Sequence, residues 1–182
     1  LQIMRHLERT GHDAHVIAPD AVGIPTSMHG ASIEPVKSLA LPGYRNVRVG
    51  TATTGRIAGS LSRFCPDVVH LASPFALGWR GVLAAARLDL PAVAAYQTDV
   101  AAYAERYRVA ATTNFAQNHI LRLHRRATLT LAPSSESTQQ LRALGVDRLR
   151  RWGRGVDAER FHPGARVEQW QRRSIDEGVV GY

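Results

Sequence analysis

Residues Pro66 to Asp99 read PDVVHLASPFALGWRGVLAAARLDLPAVAAYQTD. Two short apolar runs flank a stretch of helical length. PDVVHLASP reads as a buried strand over Val68 to Ala72. ALGWRGVLAAARLDLP reads as a helix, and AVAAYQTD as a second strand. The strands are apolar runs, not apolar–polar alternations. Such strands are buried on both faces, which is the mark of a parallel sheet covered by helices.

The same alternation extends both ways. LQIMRHLERTGHD reads as the end of a helix: Leu1, Met4 and Leu7 share a face, and Gly11 suits the left-handed position after the last turn. AHVIAP is then a buried strand, Ala14 to Ala18, ended by Pro19. Asp20 to Ser32 reads as loop, Ile33 to Ser38 as strand, and LALPGYRNVRVG holds a Pro-Gly turn. Ile57, Leu61 and Phe64 mark a helix from about Thr54.

Downstream, helices are expected at Val100 to Tyr107 and Asn114 to Arg126. Ala116, Ile120, Leu123 and Ala127 form the inward stripe of the second. ATLTLAPS is a strand. Ser134 or Ser135 can cap a helix to Leu144, with Glu136 in its first turn and Gly145 after its end. RLRRW is a last short strand. The expected fold is α/β, a Rossmann-like parallel sheet with helices on both faces. A helix feeding a parallel strand normally follows an earlier strand, so this reading expects the first strand to be missing. EGVVGY at the other end opens an apolar run, as if a further domain were beginning.

A chain of 182 residues with 45% hydrophobic and 21% charged residues fits one soluble domain. No apolar run approaches a membrane span. The single cysteine, Cys65, excludes an internal disulfide, fits a reducing cytoplasm and reads as packing. The net charge of +8 points to anionic partners, yet Lys37 is the sole lysine beside 22 arginines, a bias that a GC-rich genome also produces. Nine arginines and four acids lie between Arg142 and Arg173, so the charge concentrates in the last quarter.

Ligands of open parallel sheets gather beyond the C-terminal strand ends. Three such ends carry polar groups: HLASP with His70 and Ser73, YQTD from Tyr96 through Gln97 and Thr98 to Asp99, and APS with Ser134. YQTD is the favoured candidate, because its amide, hydroxyl and carboxylate suit sugar hydroxyls. Ser134 reads first as a helix cap, His70 as a hydrogen-bonded core histidine, and Asp99 as a cap in the alternative. The eight histidines form no zinc-ligand pattern, so no metal site is expected. No P-loop, intact GxGxxG or GxSxG elbow occurs.

GRGVDAERFHP, from Gly153 to Pro163, resembles the GVD-x-x-[RK]-F-x-P signature at the domain junction of family 4 glycosyltransferases. GHDAHVIAP, LPGYRNVRVG, PDVVHLASP, YQTD and TLAPS agree in order. VVHLASP, AAYQTDV and RRWGRGVD look most like the actinobacterial GDP-mannose-dependent α-mannosyltransferases that act on glycolipids.

The resemblance implies the N-terminal, acceptor-side half of a two-domain GT-B enzyme. Residues 1–152 would form this domain, 153–166 the linker, and 167–182 the start of a donor-binding domain. Transfer would retain anomeric configuration without a metal or other cofactor. The nucleotide sugar, expected to be GDP-mannose, would be held mainly by the other half. Ser73, Tyr96, Gln97, Thr98, Asp99, Ser134 and Arg154 are the implied substrate-binding residues. Gly155, Val156, Asp157, Phe161 and Pro163 are the implied hinge. Arg154 would either face donor phosphates or be a solvated hinge residue. Gln97 stands where many members have histidine; it can hydrogen-bond but not titrate, so no catalytic group is assigned.

The partners implied are a nucleotide sugar and a lipid-linked acceptor at the inner membrane face, met by peripheral attachment, without nucleic acid. The 182 residues alone are expected to be inactive. A non-catalytic Rossmann-like module that binds sugar or phospholipid is the alternative reading.

Overall fold

A computed structural model of the chain describes residues 2–41, 44–96, 110–153, 155 and 162. Helix α1 (Gln2–Arg9) leads through Gly11, at φ +75°, into β1 (His15–Pro19). β1 runs parallel to β3 (Ala31–Val36), with Val16 opposite Ile33, and β2 (Ser27–Met28) pairs antiparallel on the far edge of β3. β4 (Ser38–Leu41) and β5 (Tyr44–Gly50) form an antiparallel ribbon of their own. Helix α2 (Thr54–Phe64) follows.

A second sheet holds β6 (Val69–Leu71), β7 (Ala92–Ala95), β8 (Leu129–Ala132) and β9 (Leu149–Arg151), all parallel and in chain order. Their crossovers are α3 (Ala76–Arg87), α4 (Ala110–Arg126) and α5 (Ser135–Ala143). Each crossover steps to the next strand in the same direction. Right-handed connections therefore put all three helices on one face.

That face is the core. Leu71, Ala92 and Ala94 pack against Val82 and Ala85 of α3 and Leu123 and Ala127 of α4. Tyr96 and Ala132 continue it against Ile120, Leu121, Leu141 and Val146. The many alanines, several of them fully buried, let helix backbones approach the sheet closely. The opposite face carries His70, Val93, Leu129, Leu131 and Arg150 and is more open: His70 and Arg150 are exposed and the other three half-buried.

A third cluster, Val36, Ala52, Ile57, Leu61 and Ala84, joins α2 and α3 to the first sheet. Ile17 of β1 and Val69 of β6 both border it. Among the described residues β1 pairs only with β3, and β6 only with β7.

Several expectations are corrected. The loop from Asp20 to Ser32 contains β2, which turns into β3 through His29 (φ +48°) and Gly30 (φ +68°). Two successive positive φ values in a two-residue loop make a type I′ hairpin, whose twist matches that of its strands. β3 ends at Val36, and Ser38 already belongs to β4. β1 is half-buried along its length instead of fully buried; among the described residues it pairs on one side only. Helix α4 starts at Ala110, four residues before the expected Asn114. Cys65 does not pack in the core. It is exposed in the left-handed conformation (φ +53°), where its N–H bonds the Leu61 carbonyl and ends α2 ahead of Pro66. The strand expected over Val68 to Ala72 shortens to β6, with Val68 half-exposed. The helix expected at Val100 to Tyr107 lies outside the described residues.

Candidate functional site

The C-terminal ends of β1 and β3 open onto a cleft of about 360 Å³. Its floor is Val36 and Ala52; its polar lining is Asp20, Lys37, Thr51, Thr53 and Arg56. Backbone pairing fixes these groups. The Asp20 N–H donates to the Val36 carbonyl at 2.8 Å. The Thr51 N–H and hydroxyl both donate to the Lys37 carbonyl, at 2.7 and 2.9 Å. Thr53 is the N-cap of α2 and accepts the Arg56 N–H at 3.2 Å, so the helix terminus is already satisfied by its own cap.

The carboxylates beside the cleft have partners. Ser38 Oγ donates to Asp20 Oδ1, and Arg48 reaches both, at 2.6 Å to Ser38 Oγ and 3.4 Å to Asp20. The Ser38 hydrogen bond, aided by Arg48, lowers the Asp20 pKa. Glu34, behind the cleft, accepts from Ser60 Oγ at 2.6 Å and pairs with Arg56 at 3.2 Å and Arg63 at 3.6 Å. Its pKa is lowered too, first by Ser60. His15 completes this network, its Nδ1 2.7 Å from Ser32 Oγ and its Nε2 3.1 Å from Ser60 Oγ. The hydrogen bonds bind β1, β3 and α2 together, and fix the wall from which Arg56 projects. Lys37 is exposed and pairs with no acid among the described residues.

The residues named from the sequence are dispersed. Ser73 follows β6, exposed, with its Oγ 3.4 Å from the Phe75 N–H. Tyr96 is buried in the core behind the strand end, its ring edge-on to His124 at 5.6 Å. That places it away from the open mouth, because its parity along β7 points it at the helices. Ser134 is the N-cap of α5 and accepts the Ser137 N–H at 3.1 Å. Gly155 is exposed. Gln97, Thr98, Asp99, Arg154, Val156, Asp157, Phe161 and Pro163 lie outside the described residues.

His70 is not a hydrogen-bonded core histidine. It stands on the open face of its sheet, edge-on to Trp152 at 6.2 Å, and loss of water on the sheet side lowers its pKa. The buried histidine is His124, which the sequence did not single out. His119 ties α4 to the mouth, its Nε2 3.2 Å from the Pro74 carbonyl. Sequence reasoning also missed Lys37, Thr51, Thr53 and Arg56. The available signal was a lone lysine in the last residues of an expected strand. Among the described residues no three His, Cys, Asp or Glu side chains group to hold a metal, and no helix is long and apolar enough to cross a membrane.

Parallel strands with polar groups collected beyond their C-terminal ends define a Rossmann-like ligand-binding domain. The chain belongs to glycosyltransferase family 4, whose model matches residues 1–160; domains of this family are Rossmann-like halves of the GT-B fold. Over its whole length it is 43% identical to a GDP-mannose-dependent alpha-mannosyltransferase of Mycobacterium tuberculosis and 42% identical to one of Mycolicibacterium smegmatis, covering 50% of each. It is 32% identical over 93% of its length to the sulfoquinovosyl transferase SQD2 of Arabidopsis thaliana, covering 34% of that protein. The chain thus spans about half the length of the mannosyltransferases it matches.

Proposed function

We propose that this chain is the acceptor-side domain of a retaining glycosyltransferase that moves mannose from GDP-mannose to a lipid-linked acceptor. The observation that carries the reading is the similarity, over this chain's whole length, to half of each of the two mycobacterial mannosyltransferases. The cleft beyond β1 and β3 supports it, since acceptor hydroxyls need hydrogen-bonding groups at such a mouth.

In this reading residues 153–166 cross to a donor-binding domain, with Gly155, Val156, Asp157, Phe161 and Pro163 as the hinge and Arg154 turned toward the donor's phosphates. Gln97, Thr98 and Asp99 bind sugar hydroxyls. The departing nucleotide is stabilised by fixed cations without a metal or other cofactor, mostly from groups beyond this domain. Attachment to the inner membrane face is peripheral, and the arginine-rich surface favours anionic lipid.

The test is an assay of the full-length protein with GDP-mannose and UDP-sugars against membrane lipid extract. Mannosyl transfer from GDP-mannose to lipid is expected. Transfer only from UDP-sugars overturns the donor assignment. Sugar or lipid binding with no transfer from any donor favours a non-catalytic module.

A further inference from the structure

We propose that His119 is a positioning residue: its hydrogen bond to Pro74 holds the loop that presents Ser73 to a sugar hydroxyl of the acceptor. The inference rests on the acceptor-side reading and adds to it a residue that acts through the mouth of the second sheet.

The bond has a defined direction and a rigid base. The Pro74 carbonyl can only accept, so the hydrogen sits on His119 Nε2, 3.2 Å away. It joins α4 to a loop that belongs to no helix or strand. The imidazole is itself fixed. It lies 5.2 Å from the Trp79 ring, tilted by 51°. Arg126, about two turns further along the same face of α4, stands 5.4 Å over the same indole. Trp79 in turn packs against the core cluster formed by β6, β7, α3 and α4.

The loop needs this anchor. From α3 it receives packing but no cap, since Phe75 occupies the N-cap position without a side-chain hydrogen bond. Ser73 Oγ lies 3.4 Å from the Phe75 N–H, a long contact. That contact uses a lone pair and leaves the Ser73 O–H to be donated, on a side chain exposed beyond the C-terminal end of β6. In the chain, α4 is the helix that follows Gln97, Thr98 and Asp99. One bond therefore ties the loop carrying Ser73 to the helix that YQTD leads into. A sugar hydroxyl needs its partners at a set spacing, and a shift of about 1 Å can cost on the order of a hundredfold in rate.

The experiment uses the full-length enzyme as wild type, Ser73→Ala, His119→Phe, His119→Gln, the double variant Ser73→Ala/His119→Phe, and His124→Leu. His119→Phe keeps a ring against Trp79 without an N–H, and His119→Gln keeps an N–H. Membrane lipid extract in mixed micelles is titrated as acceptor at saturating GDP-mannose, and GDP-mannose is titrated in turn. His119→Phe and Ser73→Ala are each expected to raise the apparent KM for the extract about tenfold, with KM for GDP-mannose unchanged. The double variant should be no worse than either single one, because His119 acts through Ser73. His119→Gln should recover most of the loss, and His124→Leu, on the same helix but away from the mouth, should match wild type. Unchanged acceptor KM in His119→Phe or Ser73→Ala, additive losses in the double variant, or no recovery in His119→Gln overturns the inference and leaves the mannosyltransferase reading standing. So does a fall in kcat alone, or an equal rise of KM in His124→Leu, since either assigns the effect to packing of α4. If His119→Phe does not fold, His119→Leu replaces it and is read the same way. If the wild type transfers from no donor, the transferase reading falls and calorimetric binding of methyl α-mannoside decides. Weaker binding in both His119→Phe and Ser73→Ala keeps the positioning role; binding equal to wild type in either, or no binding by wild type, sinks it as well.

Discussion

A β-carbon at Gly78 would lie 1.7 Å from the carbonyl oxygen of Ser73. The loop leaving β6 therefore folds back onto the first turn of α3, and only a residue without a side chain permits it. Gly50 offers a comparison. A β-carbon there would meet Leu77 side-chain atoms at 2.7 to 2.9 Å, which can turn aside. Gly78→Ala must instead displace backbone and should cost about 3 kcal/mol, at the upper end of overpacking effects. Gly50→Ala should cost clearly less. Urea denaturation of both variants checks the order; equal costs would mean the Ser73 loop moves freely.

Ser134 separates capping from ligand contact. Its Oγ accepts the Ser137 N–H, so Ser134→Ala should cost about 1 kcal/mol of stability. Ser134→Asp preserves the cap and places a charge at the same point, so it should keep wild-type stability. Thermal denaturation reads the first effect. In the full-length enzyme, acceptor KM reads the second: a rise in Ser134→Asp without loss of stability assigns Ser134 to the substrate as well.

The parallel sheet was legible because its strands are apolar runs punctuated by caps that work locally. Ser134, Gly145 and the Ile120, Leu123 and Ala127 stripe needed only their neighbours in sequence. Features decided by distant contacts were not legible. His70 and His124 carry the same side chain, and no local pattern says which is buried. That depends on which sheet face the helices cover. The arginines misled similarly. Arg125 bonds the Leu144 and Gly145 carbonyls behind α5, while Arg148 bonds the Arg125 and Ala127 carbonyls at the end of α4. These two cations satisfy helix C-termini, a use that net charge cannot separate from anion binding. The cleft was missed because its lining comes from four separated segments, and YQTD drew attention to the other sheet.

The Glu34 network predicts an acid-side loss of stability. Ser60, followed by the arginines, lowers the Glu34 pKa below its ordinary 4.5. A carboxylate with a depressed folded pKa stabilises above its unfolded pKa, and loses that contribution as pH falls through the folded value. The exposed arginines add little, about 0–1 kcal/mol each. Glu34→Gln should therefore be less stable than wild type at pH 7 and converge with it below pH 4.5. A constant gap across that range would assign the loss to packing of Ser60 and His15 instead of charge.

His124 predicts a second window at higher pH. Its Nδ1 is 3.0 Å from Thr130 Oγ1, its Nε2 has no partner, and the side chain is almost wholly buried. The Thr130 hydroxyl donates to the His124 carbonyl at 3.5 Å, which leaves its oxygen to accept, so the Nδ1–H tautomer fits, donating to Thr130. Burial pushes the pKa down from 6.5 to about 4. The unfolded chain therefore binds the extra proton first. Stability is complete above pH 6.5 and declines toward pH 4, by on the order of 3 kcal/mol. His124→Leu removes the titrating group and should flatten this slope while leaving the Glu34 loss below pH 4.5 in place. Urea midpoints measured from pH 7.5 to 4 in both proteins check it. A slope unchanged in His124→Leu would place the titrating group elsewhere, with His70 the next to substitute because desolvation lowers its pKa as well.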